Sequence, residues 1–241
     1  MSFDLPRGRI VVVHDVDVRL DPDPHPFVVQ NGDAIEANWH REKAANPALY
    51  DGQMMLLSSI AYADGALVGR CHAVRYAALL HWRRSRPPGA EHAFAHAALV
   101  TSDGALLAIR MGPHTANPGR VYFAAGSFEP MDFPNGRADL HANMAREVGE
   151  ETGLDLDEAM SESAHHLYSM NGITVIFRRY HLPEPADVLA ARITDFVASQ
   201  EDPEIEGPVV IRGPSDDPEG LAHHMRPIID WHFLPSGGPG R

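Results

Sequence analysis

The chain of 241 residues has little cysteine, a deficit of positive charge and no long apolar run. Its one cysteine, Cys71, excludes an intramolecular disulfide and fits a reducing compartment. No apolar stretch approaches the roughly 20 residues of a membrane-spanning helix. The N-terminal segment lacks the basic start and apolar run of a secretory signal peptide. We therefore expect a cytoplasmic protein that does not enter the membrane.

The charge balance limits the class of partner. The chain carries 20 Lys and Arg against 33 Asp and Glu, a net charge of −13. This argues against nucleic-acid binding, because affinity for the phosphate backbone comes largely from Lys and Arg. The negative charge does not exclude binding of a small phosphorylated substrate, since a bound metal can supply local positive charge. With 44% hydrophobic and 22% charged residues, the composition is typical of globular proteins, and the length allows one large domain or two small ones.

Hydrophobic patterns and turn signals outline the secondary structure. The valine-rich residues 9–20 predict one strand. Capping-box spacing at residues 33–36 predicts a helix that begins there and ends before Pro47. Asp64-Gly65 and residues 102–104 predict two hairpin turns. Further helices are predicted at residues 139–153, 186–199 and 218–225.

Alternating strands and helices indicate an α/β or α+β layered fold. The segment of residues 83–90, rich in Arg and Pro and ending in Gly-Ala, is the best linker candidate. We therefore predict an N-terminal α+β region at residues 1–88 and a second domain at residues 89–241. The first region is a candidate for substrate selection or dimerisation.

Residues 146–154, Arg-Glu-Val-Gly-Glu-Glu-Thr-Gly-Leu, are the most informative stretch. At helical spacing, Glu147, Glu150 and Glu151 lie on one face and repel each other. Glu150 and Glu151 also lie in the last turn before Gly153, where the helix dipole disfavours negative charge. A hard divalent cation held by oxygen ligands would resolve both conflicts.

Together with residues 126–132, Gly-Ser-Phe-Glu-Pro-Met-Asp, this stretch resembles the Nudix box. The second half matches the family pattern at every specified position. The first half departs twice: Asp132 stands where Glu is usual, and thirteen residues instead of seven separate it from Arg146. The extra six fall around residues 133–138, a turn-forming sequence suited to a loop excursion. The resemblance implies a Nudix α/β/α sandwich with a mixed sheet, preceded by the smaller α+β region.

The resemblance also implies a chemistry, the hydrolysis of the pyrophosphate bond in a nucleoside diphosphate derivative. Mg²⁺ would be the metal, with Mn²⁺ as a substitute. The implied ligands are Glu147, Glu150, Glu151 and the backbone carbonyl of Ala125. Glu147, Glu150 and Arg146 form the implied catalytic group: Glu147 as the general base, and Arg146 orienting the carboxylates by ion pairing, with Asp132 as its candidate partner.

Other residues complete the predicted site. Gly126, Glu129, Asp132 and Gly153 would shape its loops. Arg110 and Arg120 are candidates for substrate binding, with ordinary surface arginines as the alternative interpretation. A further acidic residue often comes from outside the box, and the candidates are Glu201, Glu204 and Glu206. Fifteen histidines raise zinc as an alternative, but no His-Glu-x-x-His or Cys-x-x-Cys pattern is present.

The N-terminal region bears on the substrate. Residues 35–39, 46–52 and 72–76 resemble Nudix enzymes that cleave UDP-glucose and UDP-galactose to UMP and a sugar 1-phosphate. The same chemistry on ADP-ribose, a dinucleotide or coenzyme A is the first alternative. A non-catalytic module that senses a nucleotide is the second, although the three box glutamates favour an enzyme. A small nucleotide is thus the expected partner, and a homodimer stays open.

Overall fold

The computed structural model describes residues 3–234, so the outer ends of the two predicted regions, residues 1–2 and 235–241, lie outside the described residues. No helix within residues 3–234 combines the length and apolar character needed to cross a membrane. The strands and helices are β1 (Phe3–Asp4), β2 (Ile10–Val13), β3 (Asp15–Leu20), α1 (Pro26–Ala45), β4 (Gln53–Ala63), β5 (Ala66–Arg75), α2 (Tyr76–Ser85), β6 (His92–Val100), β7 (Leu106–Met111), β8 (Val121–Tyr122), α3 (Leu140–Thr152), β9 (Met160–Ser161), β10 (His165–Met170), β11 (Ile173–His181), α4 (Ala186–Ser199), β12 (Ile205–Ile211) and α5 (Met225–Phe233).

The strands form two mixed sheets. The small sheet has the order β1-β4-β5-β3, with β4 and β5 antiparallel and both outer strands parallel to their neighbours. The large sheet has the order β12-β7-β6-β11-β10-β2, with β8 beside β7 and β9 beside β11. In the large sheet β6 and β11 run parallel, and the other pairs are antiparallel. The predicted α/β class with a mixed sheet is confirmed.

Helices cover the sheets in layers. Helices α1 and α2 pack on the small sheet around Leu56 and Trp82. The largest apolar cluster joins residues of both sheets to α3 and α4, with Met144 of α3 among its fully buried members. Helix α5 packs through Ile228 and Ile229 against a second cluster that includes strands of the large sheet. The site carried by α3 therefore lies on a helix with a firmly packed inner face.

The prediction of one strand over residues 9–20 is wrong. The chain breaks at His14, and β2 pairs with β10 in the large sheet while β3 pairs with β5 in the small one. The backbone N–H groups of His14 and Asp15 both donate to the Gly65 carbonyl, at 2.8 and 3.3 Å, which holds the crossing point. The N-terminal region therefore supplies an edge strand to the large sheet.

Two predicted helix boundaries are also wrong. Helix α1 begins at Pro26 rather than at residue 33, because proline fits the first helical position and His25 caps the helix, its Nδ1 accepting the Phe27 N–H at 3.0 Å. The last helix is Met225–Phe233 rather than residues 218–225. The backbone at Gly220 and Ala222 instead pairs with Val121 of β8, which removes those residues from a helix. The two hairpins and the helices at residues 139–153 and 186–199 are confirmed.

Candidate active site

Helix α3 sets the orientation of the carboxylates. Asp139 caps its start, accepting the Ala142 N–H at 3.0 Å, and Gly153 ends it with a φ of 68°. The inner stripe of the helix is buried and consists of Leu140, Met144 and Val148. Glu147 and Glu151 are also buried beside this stripe, whereas the Glu150 side chain is 62% exposed. The helix thus presents two buried carboxylates and a third at the surface.

The Gly126 loop meets the helix at these carboxylates. The Ala125 N–H donates to Glu151 Oε2 at 3.0 Å. A Cβ atom on Gly126 would lie only 2.2–2.4 Å from the carboxylate of Glu147. Any larger residue at this position would have to displace the carboxylate of Glu147. The two halves of the sequence motif come together in space.

Arg146 joins three carboxylates. Its Nη1 lies 2.6 Å from Glu147 Oε1 and 3.2 Å from Glu150 Oε2. Its Nη2 lies 3.2 and 3.4 Å from the two carboxylate oxygens of Asp132. Asp132 thus contacts Arg146 although its side chain is one methylene shorter than the usual glutamate.

The six-residue insertion is a closed excursion. The Asp132 carbonyl accepts the Asp139 N–H at 2.8 Å, so the chain leaves and rejoins the motif at neighbouring points. The Asp132 carboxylate also accepts the Glu129 N–H and the Asn143 Nδ2–H, both at 2.9 Å. With these contacts, Asp132 is 3% exposed. The insertion therefore leaves Asp132 next to the start of α3.

Burial and like charges shift the buried carboxyl groups. Burial raises the pKa of Glu147 to about 7, with Arg146 acting in the opposite direction and Glu150 adding to the rise. Burial, followed by the charge of Glu147, raises the pKa of Glu151 well above its ordinary value, and the Ala125 N–H acts against this. Two buried carboxylates side by side form a place where added positive charge is favourable.

The donor set fits a hard cation. Between residues 3 and 234 no three His, Cys, Asp or Glu side chains converge into a ready-made metal cluster. Arg146 instead holds Glu147 and Glu150, so a cation would have to replace those contacts. The available donors are carboxylate and carbonyl oxygens, the ligands that Mg²⁺ and Mn²⁺ prefer. Glu147, Glu150, Glu151 and the Ala125 carbonyl are the groups that could hold it.

The two arginines predicted to bind substrate lie outside this cluster of carboxylates. Arg110 Nη1 donates to the carbonyls of Gly119 and Glu219, at 3.2 and 2.7 Å, and its Nε lies 4.0 Å from Glu206. This guanidinium therefore fastens two loops together. The Arg120 side chain is exposed beside the same loops.

One member of the acidic stretch acts on the site. All three acidic side chains, of Glu201, Glu204 and Glu206, are exposed. The charge of Glu204 contributes to the raised pKa of Glu151, whereas Glu206 faces Arg110. Tyr122, which belongs to no recognised motif in the sequence, lies in the same surroundings. Burial raises the pKa of Tyr122, and the charges of Glu151 and Glu204 add to the rise. The one sequence feature that points to Tyr122 is its position in the strand just before the Gly126 loop.

The N-terminal residues that resemble UDP-sugar enzymes form a structural cluster. Arg75 Nε donates to Asp51 Oδ2 at 2.7 Å, and its Nη1 contacts Glu36 on α1. Asp51 Oδ1 accepts the Ala77 N–H at 2.9 Å at the start of α2. These contacts hold the two helices and the intervening strands together.

Comparison with known proteins gives structural likenesses only. No protein-family profile and no curated protein matches the sequence. The fold is similar to that of the Ap4A hydrolase of C. elegans, at 14% identity over 49% of this chain and 79% of that chain, with a TM-score of 0.36. It is also similar to the Nudix hydrolase RenU of M. smegmatis, at 12% identity over 50% and 69% of the two chains, with a TM-score of 0.32. A MutT protein of Methanosarcina mazei Go1 shows 20% identity over 37% and 61%, with a TM-score of 0.26. The functional argument rests on the geometry of the site.

Proposed function

We propose that this chain is a Mg²⁺-dependent hydrolase of the Nudix type that cleaves the pyrophosphate bond of nucleoside diphosphate derivatives. One observation carries the proposal. Two sequence segments separated by an unusually long excursion meet so that Glu147 lies against Gly126 and Glu151 accepts the Ala125 N–H. If the glutamates of α3 were only an ordinary solvent-exposed helix face, the Gly126 loop would not need to contact them. The contact instead brings buried carboxylate and carbonyl oxygens together at one place.

The residues have distinct roles in this chemistry. A divalent cation bound there would polarise phosphoryl oxygens and lower the pKa of the attacking water. Glu147 would be held as a carboxylate by the cation and would accept the proton of that water. The water oxygen then forms a new bond to one phosphorus, and the bridging oxygen leaves with the other phosphoryl group. Arg146, fixed by buried Asp132, orients Glu147 and Glu150.

A UDP-sugar is the proposed substrate, giving UMP and a sugar 1-phosphate. Its support is the likeness of the N-terminal segments to enzymes of that branch. The cluster of Glu36, Asp51 and Arg75 accounts for several of the matched residues by structure alone, so ADP-ribose, a dinucleotide and coenzyme A remain alternatives. We also propose that residues 1–88 select the substrate or mediate a homodimer, and that the protein acts in the cytoplasm.

A substrate panel with Mg²⁺ and phosphate-product analysis tests the proposal. We expect turnover of UDP-sugars well above ADP-ribose, with nucleoside monophosphate as one product. Glu151→Gln should lower kcat by about 100-fold or more with little loss of stability, because glutamine keeps an acceptor for the Ala125 N–H. Glu158→Gln, an exposed position beyond the helix, is the matched control. Tight binding of a nucleotide without turnover would instead favour the sensor alternative.

A further inference from the structure

The excursion of residues 133–138 docks on the small sheet. The Arg137 guanidinium donates to the Val16 carbonyl, from Nε at 3.0 Å and from Nη2 at 2.7 Å. Its Nη2 also lies 2.7 Å from Asp15 Oδ1, and the Ala138 N–H donates to the Val18 carbonyl at 2.9 Å. Arg137 and Ala138 therefore satisfy carbonyls along the free edge of β3, which would otherwise be unpaired.

The opposite side of the excursion is anchored in the core. Phe133 is 6% exposed and packs edge-to-face on Phe128, with ring centroids 6.1 Å apart. Both rings belong to the apolar cluster that contains Leu140 at the start of α3. The excursion is thus fixed between an edge strand of one sheet and the helix that carries the carboxylates.

A continuous set of contacts runs from this excursion to the site. Its first and last flanking residues, Asp132 and Asp139, are joined by a backbone hydrogen bond of 2.8 Å. The buried carboxylate of Asp132 then meets Arg146, which holds Glu147 and Glu150. The two departures from the family pattern are therefore linked in space, since the inserted loop brings a shorter acidic side chain within reach of Arg146.

We propose that Arg137 is a positioning residue for the hydrolysis, acting through Asp132 and Arg146 on the carboxylates of α3. This inference rests on the proposed function. Arg137 holds the excursion on β3, and the closed excursion sets the place of Asp132. Loss of that anchor leaves the position of Asp132 to its contacts with Glu129, Asn143 and Asp139. A misplacement of about 1 Å in a catalytic group can cost as much as 100-fold in rate.

The test compares Arg137→Ala with Arg19→Ala, each assayed for kcat, KM and Mn²⁺ affinity by electron paramagnetic resonance. Arg19 lies on the same strand, and its side chain pairs at 2.8 Å with Asp17, which Arg137 also contacts at 3.5 Å. Arg19 meets the excursion through its backbone, in a bridge to Arg137 that an alanine side chain leaves in place. We expect Arg137→Ala to lower kcat by about 10- to 100-fold, to change KM by less than about threefold, and to weaken Mn²⁺ binding. Arg19→Ala should match the wild type. Arg137→Lys should recover part of the rate, because lysine keeps the charge but loses the forked geometry.

A double variant separates positioning from a merely structural role. If Arg137 acts through Asp132, then Arg137→Ala should lower kcat much less in an Asp132→Asn background than in the wild type. If the reductions in kcat caused by Arg137→Ala and Asp132→Asn simply multiply in the double variant, the inference is overturned. Equal kcat for Arg137→Ala and Arg19→Ala would also overturn it. If the wild type turns over no nucleotide at all, the proposed function fails, and Mn²⁺ affinity decides the inference: equal affinity in the two alanine variants refutes it.

Discussion

Replacing Gly126 with alanine is expected to disable the site without unfolding the protein. The added Cβ would lie 2.2 Å from Glu147 Oε1 and 2.4 Å from its Cδ. Ordinary contacts begin near 3.5 Å, so the carboxylate must withdraw by about 1 Å. The obstructing atoms are the end of a flexible side chain, and we therefore expect a stability cost of only about 1 kcal/mol, at the low end for overpacking. The displaced carboxylate should lower kcat by about 100-fold.

The assay needs a glycine control on the same helix. A Cβ on Gly149 of α3 meets its nearest atom, the Leu154 carbonyl oxygen, at 4.0 Å. Gly149→Ala should therefore raise the free energy of unfolding by roughly 0.5–1 kcal/mol and keep full activity. Urea unfolding and Mg²⁺-dependent rates would be measured on both variants. Activity of Gly126→Ala within a few-fold of wild type would refute the close approach of Glu147 as the reason for this glycine.

Two further predictions concern stability. Gly153 has a φ of 68°, and a Cβ there would lie only 2.4 Å from the Phe196 ring. We therefore expect Gly153→Ala to lower the free energy of unfolding, measured in urea, by about 2–4 kcal/mol. A decrease below about 0.5 kcal/mol would contradict this packing. The Nε2 atoms of His96 and His224 lie 3.0 Å apart, and burial, with a smaller effect of His223, lowers the pKa of His224 from 6.5 to about 4. As the pH falls, the His224 imidazole is protonated in the unfolded chain before it is protonated in the folded protein. The stability that neutral His224 contributes to the folded state is therefore present above pH 6.5 and lost toward pH 4. His224→Gln should therefore reduce the fall in Tm between pH 6.5 and pH 4, by the equivalent of at most about 3 kcal/mol. A dependence of Tm on pH identical to that of the wild type would contradict this prediction.

Local signals were sufficient for the helix of the candidate site. Asp139 and Gly153 bound α3 because a cap and a left-handed stop are properties of a few adjacent residues. The clustering of glutamates on one face likewise follows from helical spacing. The burial of Glu147 and Glu151 could not be predicted locally, because it depends on the approach of the Gly126 loop.

The features that were not predicted depend on contacts between residues far apart in the sequence. At the break at His14 the chain passes from one sheet to the other, and no glycine or proline marks it. The residues before α5 look helical by pattern but pair with Val121. The sequence places Arg137 in a turn-forming loop. Its hydrogen bonds to the Val16 carbonyl depend on β3 being an edge strand, which local sequence does not reveal.

The most direct measurement of the central claim is the rate of nucleoside monophosphate release as Mg²⁺ is raised from an EDTA-treated start to saturation. Wild type and Glu151→Gln would be compared at equal concentration, with Glu158→Gln as the control and Tm recorded for each. We expect wild type and the control to be inactive without metal and to saturate with Mg²⁺, while Glu151→Gln stays folded and at least about 100-fold slower. Metal-independent turnover, or a normal rate in Glu151→Gln, would contradict a metal-dependent site at these carboxylates.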